Sequence, residues 1–363
     1  MEKKAKITID LLSWFDENRR QLPWRQHRSA YGTWISETML QQTRVNTVIP
    51  YFQHFLKCFP DIRSLSDAPL ESIYKAWEGL GYYSRARNLK RGAAYCVEKH
   101  DGILPDSLEM LLRIPGIGPY TAGAIGSMVF GIPVPAVDGN TIRVFSRLFG
   151  LFIAPQESRA KRDVSILAKE MLPDGRAGDF NEAVMDFGAL ICIPRSPRCA
   201  NCELSPHCEA LAGNLQNSLP LKKEKKEIPS FPFTILVFRK GESVYIQQRP
   251  SQGLLSGLYE FYPVPGVLKK DSVPDFLYDE LAFPTGCSFH IHDLGKATHT
   301  FSHLRWDLTG YRIDLAGNDS APDPFAIENS IFSGKFLSMD EAKRLAYPSA
   351  IRVYTDSIFR KKE

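Results

Sequence analysis

The hydrophobic period of the chain changes once, and that change requires two folding units. Up to about residue 212 the apolar residues recur at helical spacing, and after residue 230 they alternate. Between them, NLQNSLPLKKEKKEIPSFP is polar, charged and proline-containing, with no apolar period, which is the composition of a linker. The expected organisation is an all-α region at 1–212, a linker at 213–229 and an α/β domain at 230–363. In the last region, 234–238 and 244–248 read as strands joined at Lys240-Gly241-Glu242, Tyr311, Ile313 and Leu315 alternate, and helical spacing returns at 338–345 and 350–359. No stretch reaches the roughly 18 apolar residues of a membrane span. The expectation is therefore a cytoplasmic protein with no membrane attachment.

The helical region is punctuated by LRIPGIGPYTAGAIG, in which Pro115-Gly116-Ile117-Gly118 ends one helix and the small residues from Thr121 to Gly126 begin another. Gly116 and Gly118 are free to turn backbone N–H groups outward at a helix start, where an anion such as a phosphate binds. Twelve residues after Gly126, Asp138 stands between an extended run and the periodic segment Ile142, Phe145, Leu148. Taken singly, such a hairpin is a turn and such an acid is a helix cap.

Upstream, residues 33–42 read TWISETMLQQ, which surrounds Glu37 with Trp34, Ile35, Met39 and Leu40. A carboxyl in that setting loses hydration, its charged form is disfavoured, and its pKa rises toward the range of a general acid. The stretch EGLGYYSRARNLKRGA interleaves glycines and aromatics with Arg85, Arg87, Lys90 and Arg91, a pattern suited to opening a base stack and holding the phosphates around it. Charge agrees in sign: residues 1–228 carry 30 Lys and Arg against 25 Asp and Glu, and residues 229–363 carry 15 against 16. The first part is the better partner for nucleic acid.

Four of the seven cysteines, Cys192, Cys199, Cys202 and Cys208, fall within 17 residues as C-x6-C-x2-C-x5-C. The chain is expected to carry no secretory leader, and in that setting such a cluster points to a metal, four thiolates suiting either a tetrahedral zinc or a [4Fe-4S] cluster.

PGIGPYTAGA followed about 20 residues later by VPAVDGNTIRV resembles the helix-hairpin-helix DNA glycosylases. SETMLQQTRV and GYYSRARNL are similar to further motifs of that family, and the cysteine spacing resembles its iron-sulfur loop. QQRPSQGLLSGLYEF resembles the opening of a Nudix-type domain, yet the acidic helix that holds Mg²⁺ in that fold is missing after Phe261, so this domain is expected to bind rather than hydrolyse. THTFSHLRWDL is similar to the 8-oxoguanine-sensing loop of the A/G-specific adenine DNA glycosylases, the MutY family. The resemblance spans nearly the whole chain. It implies excision of adenine opposite 8-oxoguanine or guanine in double-stranded DNA by a monomer, nucleoid-associated when on DNA, with a [4Fe-4S] cofactor on the four cysteines.

The same resemblance assigns roles to individual residues. Glu37 is the acid that protonates adenine, Asp138 stabilises the sugar cation, and Tyr120 and Asn140 support them by hydrogen bonds. Arg25, Gln42, Tyr82, Gly116 and Gly118 are DNA contacts, with Gln42 and Tyr82 as the intercalating wedge. Phe301, Ser302 and His303 read the 8-oxoguanine. Glycosylase/lyases of the same fold carry a lysine nucleophile where this chain has Tyr120, and a phenol forms no Schiff base. A non-catalytic iron-sulfur DNA-binding protein has no need of both Glu37 and Asp138.

Overall fold

Two compact units emerge in the computed structural model, which describes residues 2–26, 28–222, 227–284, 286–316, 325 and 332–360. Unit 1 comprises Met1–Ala68 and Ser84–Lys225, and unit 2 comprises Pro69–Tyr83 and Lys226–Glu363. The first is all-α: α1 (Glu2–Asn18), α2 (Pro23–Gln26), α3 (Ala30–Leu40), α4 (Val45–Cys58) and α5 (Ile62–Asp67) precede the excursion into unit 2 as α6 (Leu70–Trp77). It resumes with α7 (Ser84–His100), α8 (Leu108–Arg113), α9 (Pro119–Met128), α10 (Gly139–Leu148), α11 (Ser158–Met171), α12 (Ala177–Leu190) and α13 (Glu209–Ala212). The apolar stripe of α1, through Ile7, Leu11, Trp14 and Phe15, packs with Ile142, Phe145, Val164, Phe180 and Phe187 of α10, α11 and α12 in one core. Among the described residues no helix is long and apolar enough to cross a membrane.

A single cut near residue 212 does not describe the chain. Residues 69–83 belong with unit 2 because their polar atoms are met there. Lys75 donates to the carbonyls of Lys343 and Leu345, both at 3.0 Å, Glu78 accepts from the Tyr347 N–H at 3.0 Å, and Tyr83 donates to the Tyr347 carbonyl at 3.3 Å. The first part of the segment read as linker is also fixed. Leu219 is buried, its carbonyl accepts from Arg147 at 2.9 Å, and the Leu221 N–H reaches the Ile153 carbonyl at 3.0 Å. Residues 223–226 of that segment lie outside the described residues.

Unit 2 is α/β. Its strands are β1 (Ser230–Lys240), β2 (Ser243–Gln248), β3 (Tyr259–Glu260), β4 (Tyr262–Pro265), β5 (Phe289–Thr300), β6 (Arg305–Leu315) and β7 (Lys335–Ser338), with helices α14 (Val273–Asp279), α15 (Met339–Arg344) and α16 (Arg352–Phe359). The sheet order is β3-β2-β1-β6-β5, with β4 on β1 and β7 on β2. β1 and β6 run parallel from Ser230↔Arg305 to Lys240↔Leu315, while β5 pairs antiparallel with β6. Along β1 alternate residues enter opposite cores: Ile235 and Val237 pack with Ala342 and Tyr354 on one face, Leu236 and Phe238 with Val273 and Leu277 on the other. Burial on both faces explains why this strand is an unbroken apolar run rather than an alternating one.

In unit 1 the basic residues expected to face phosphates are partly used inside. Arg85 is buried, and its Nη1 donates to the carbonyls of Thr38, Met39 and Gln41 at 2.8, 2.9 and 2.7 Å, meeting C-terminal groups that α3 cannot satisfy itself. Lys90 closes α5 in the same way through the carbonyls of Ser66 and Ala68. Replacing Arg85 by Met keeps the stem and removes the donors. Arg85→Met should lower the stability of the helical unit by about 2 kcal/mol, seen as a lower denaturant midpoint, with Arg85→Lys recovering part of the loss.

Candidate active site

An open cleft of about 1090 Å³ in unit 1 gathers Glu37, Gln42, Tyr120, Asp138, Asn140 and Glu182 from four helices or their ends. Glu37 lies in the last turn of α3, whose residues Gly32 to Met39 are all buried. Burial pushes its carboxyl up to about 7, an effect that the hydrogen bond from Tyr120 opposes and the charges of Asp138 and Glu182 reinforce. The Tyr120 hydroxyl donates to Glu37 Oε2. Burial, and then the charge of Glu37, hold that phenol well above its ordinary pKa, so it remains a donor. Since Oε2 accepts, a proton carried by Glu37 resides on Oε1.

Asp138 is the N-cap of α10, and its side chain also lines the cleft. Oδ1 accepts from the Thr141 N–H at 2.7 Å and the Thr141 hydroxyl at 2.8 Å, and Oδ2 accepts from Asn140 Nδ2 at 2.9 Å. The Asn140 oxygen in turn accepts from Arg143 at 2.8 Å. A guanidinium only donates, so it fixes the amide with its NH₂ toward Asp138. The cap and the cleft carboxylate are thus one residue serving both ends of the motif.

The two halves of the sequence match known domains. Residues 35–169 match the HhH-GPD superfamily of base excision DNA repair proteins, and residues 234–357 match the NUDIX domain. The adenine DNA glycosylase of Buchnera aphidicola subsp. Baizongia pistaciae (strain Bp) is 38% identical over 69% of this chain and 72% of its own length. That of Homo sapiens is 33% identical over 85% of this chain and 66% of its own length. The chain belongs to the adenine DNA glycosylase family. It spans just under two thirds of the human relative. A thermostable thymine-DNA glycosylase of known structure shares the fold of the helical unit, with a TM-score of 0.54 at 29% identity over 58% of this chain and 98% of its own.

For this family member the cofactor expectation is corrected. Among the described residues no group of three or more His, Cys, Asp or Glu side chains is gathered so as to hold a metal ion. Cys192, Cys199, Cys202 and Cys208 line a cavity of about 30 Å³, the room of little more than a water molecule. Cys192, Cys202 and Cys208 pack against the main core of the unit. Burial pushes the Cys202 thiol up to about 12 and raises those of Cys199 and Cys208. Cys208 donates to the Arg147 carbonyl and Cys192 accepts from Arg147 Nη1, both at 3.4 Å. A [4Fe-4S] cluster on these four residues is not supported, because the spacing fixes how far apart they are in the chain and not that their sulfurs converge as ligands.

Other expected residues fall in varied settings. Gln42 lines the cleft with φ 60°, and Tyr82, in unit 2, has φ 47° and is 47% exposed; left-handed backbone at residues other than glycine is a strained state. Gly116 has φ 87°, and a Cβ there would meet that of Asn88 at 2.7 Å. Gly118 instead caps α9 in extended backbone, φ −94°, with open space where a Cβ would be. Arg25 is an internal cation. Its guanidinium is held by Glu182 at 2.8 Å and Asp186 at 2.7 Å, with its side chain only 8% exposed. Phe301 is half-buried, and Ser302 and His303 are exposed.

Sequence reasoning missed the ionic knot at the cleft wall. Glu182 is shared by Arg19, Arg25 and Arg28, and Asp186 by Arg20 and Arg25. Burial alone would raise Asp186, but the hydrogen bonds of Arg25 and Arg20 outweigh it and hold the carboxyl below its usual range. The available signal was in FNEAVMDF, where two acids at i and i+4 stand in an otherwise apolar helix and therefore demand cations.

The Glu37 pKa has a stability consequence. A carboxyl at 4.5 in the unfolded chain and about 7 when folded binds more protons folded, so its contribution is full below pH 4.5 and is lost as pH rises through 7. Glu37→Gln keeps an acceptor for Tyr120 and cannot ionise. The variant should exceed the parent in stability at pH 8 by up to about 3 kcal/mol, and the difference should vanish below pH 4.5, as read from unfolding measured between pH 4 and 8.

Proposed function

We propose that this chain is a monofunctional glycosylase that removes adenine paired with 8-oxoguanine, or with guanine, in double-stranded DNA. The reading rests above all on Glu37, a buried carboxyl poised near neutrality in the same cleft as Asp138. The target base must leave the stack to reach it. Gln42 and Tyr82 serve as the wedge, and their left-handed backbones are the stored strain expected of such positions. The N–H groups of the Gly116–Gly118 hairpin hold a phosphate, for which the open side of Gly118 leaves room.

Adenine leaves poorly as an anion. Glu37 delivers its Oε1 proton to N7, the N-glycosidic bond breaks with its electron pair going to the base, and positive charge develops on the deoxyribose. Asp138, oriented by Thr141 and Asn140, faces that charge. Water then adds to the sugar carbon and its proton returns to the Glu37 carboxylate. Tyr120 offers no amine, so no Schiff base forms at that position. Ser302 and His303, at the exposed turn between β5 and β6, read the opposite 8-oxoguanine by its C8 carbonyl and N7–H.

The decisive measurement is single-turnover excision from an A:8-oxoguanine duplex. The rate should be flat below pH 7 and fall about tenfold per pH unit well above it, since the acid must be protonated. Glu37→Gln should bind the duplex and not cut it; near-normal excision by that variant would remove Glu37 from the mechanism. Asp138→Asn should lose at least about 10²-fold in rate, and a loss below about tenfold would leave Asp138 as a helix cap alone. Replacing Phe301, Ser302 and His303 together by Ala should reduce the preference for A:8-oxoguanine over A:G while the excision rate at saturating enzyme stays within about twofold.

A further inference from the structure

The stretch QQRPSQGLLSGLYEF takes no part in this chemistry, yet it holds a buried carboxylate. Glu260, on β3, is 6% exposed. Neither of its oxygens is left unmet: Oε2 accepts from Arg249 Nη1, and Oε1 accepts from Gln247 Nε2 at 3.3 Å. Arg249 is held a second time through Nε to the Leu254 carbonyl at 3.1 Å. A guanidinium tied at two edges presents its flat face, and the Arg249 Cζ lies 5.6 Å from the centroid of the Trp306 ring, within the range of a cation–π contact.

Trp306 is buried on β6, and its edge meets Phe301 with ring centroids 5.0 Å apart at 72°. Phe301 also packs on His299 at 4.5 Å, and its N–H closes the turn on the Leu304 carbonyl at 2.8 Å. Between Phe301 and Leu304 stand only the exposed Ser302 and His303. Two exposed residues have no core of their own, so their orientation depends on the ring beneath them.

We infer that Arg249 and Trp306 are positioning residues for the 8-oxoguanine-reading turn: Glu260 fixes Arg249, Arg249 backs Trp306, and Trp306 seats Phe301 so that Ser302 and His303 point to the lesion. This rests on the reading of that turn given above.

The test uses the full chain with two variants: Trp306→Phe, which leaves no buried charge unpaired, and Arg249→Met with Glu260→Gln, which removes the ion pair as a whole. Circular dichroism and thermal melting establish that each is folded. Each should lower the preference for A:8-oxoguanine over A:G about fivefold to tenfold, with the single-turnover rate at saturating enzyme within about twofold of the parent. In the background where Phe301, Ser302 and His303 are Ala, Trp306→Phe should cause no further loss, because its effect passes through the turn. Independently of activity, amide exchange at Phe301 should quicken about tenfold in Trp306→Phe while the β1–β6 pairing keeps its protection.

An unchanged preference in folded Trp306→Phe, an equal loss in the triple-Ala background, or unaltered exchange at Phe301 overturns the positioning role. Parent protein that excises adenine without preferring A:8-oxoguanine instead overturns the reading of the turn, and the exchange measurement still decides whether Trp306 seats it.

Discussion

Removing a carboxyl from water disfavours its charged form, and the Glu37 side chain is buried in the last turn of an apolar helix. Much of the first unit answers that constraint. Arg85 closes the helix behind it, Tyr120 meets one oxygen, and the acids Asp138 and Glu182 make a second negative charge beside it unwelcome. Arg25 works in the opposite sense, and its own pairing with Glu182 and Asp186 limits how far it favours the ionised form. The result is a group that holds a proton near neutrality without being so isolated that it cannot give it up.

What the sequence made legible was local. The Pro-Gly hairpin, the cap at Asp138 and the apolar surroundings of Glu37 depend on residues within a few positions of each other, and the structure has all three. The ionic knot was not legible as a set, because its partners are far apart in the chain: 154 residues separate Arg28 from Glu182, and 166 separate Arg20 from Asp186. The cysteine pattern misled for a related reason. Its spacing is equally compatible with sulfurs that bind a metal and with thiols that line a small cavity beside Arg147 and the core.

The direction of a cation is equally hidden in a sequence. A run such as SRARNLKRG looks like a phosphate-binding surface because composition records charge and not direction. Arg85 and Lys90 turn inward to helix C-termini, and Arg25 turns inward to acids. A helix end inside a protein must find donors for its last carbonyls, and a long basic side chain from the next helix is an effective one. The small positive excess of the first region therefore overstates the charge available to a ligand, and specific geometry, such as the open side of Gly118, carries more of the argument for DNA than net charge does.

The second unit extends the same point from single residues to a fold. Its central strand β1 is apolar on both faces because helices cover both sides of the sheet, so the expected alternation is lost where the strand is most buried. Glu260 sits on the edge strand β3, in the motif that resembles the start of a Nudix-type domain, and its charge is met by Arg249. A buried carboxylate needs a cation, but nothing requires that cation to be a metal. An arginine in that role is also a planar group against which an aromatic ring can pack. Trp306 does so and in turn packs on Phe301, which ties the character of the exposed turn to a charge pair in the interior of the domain.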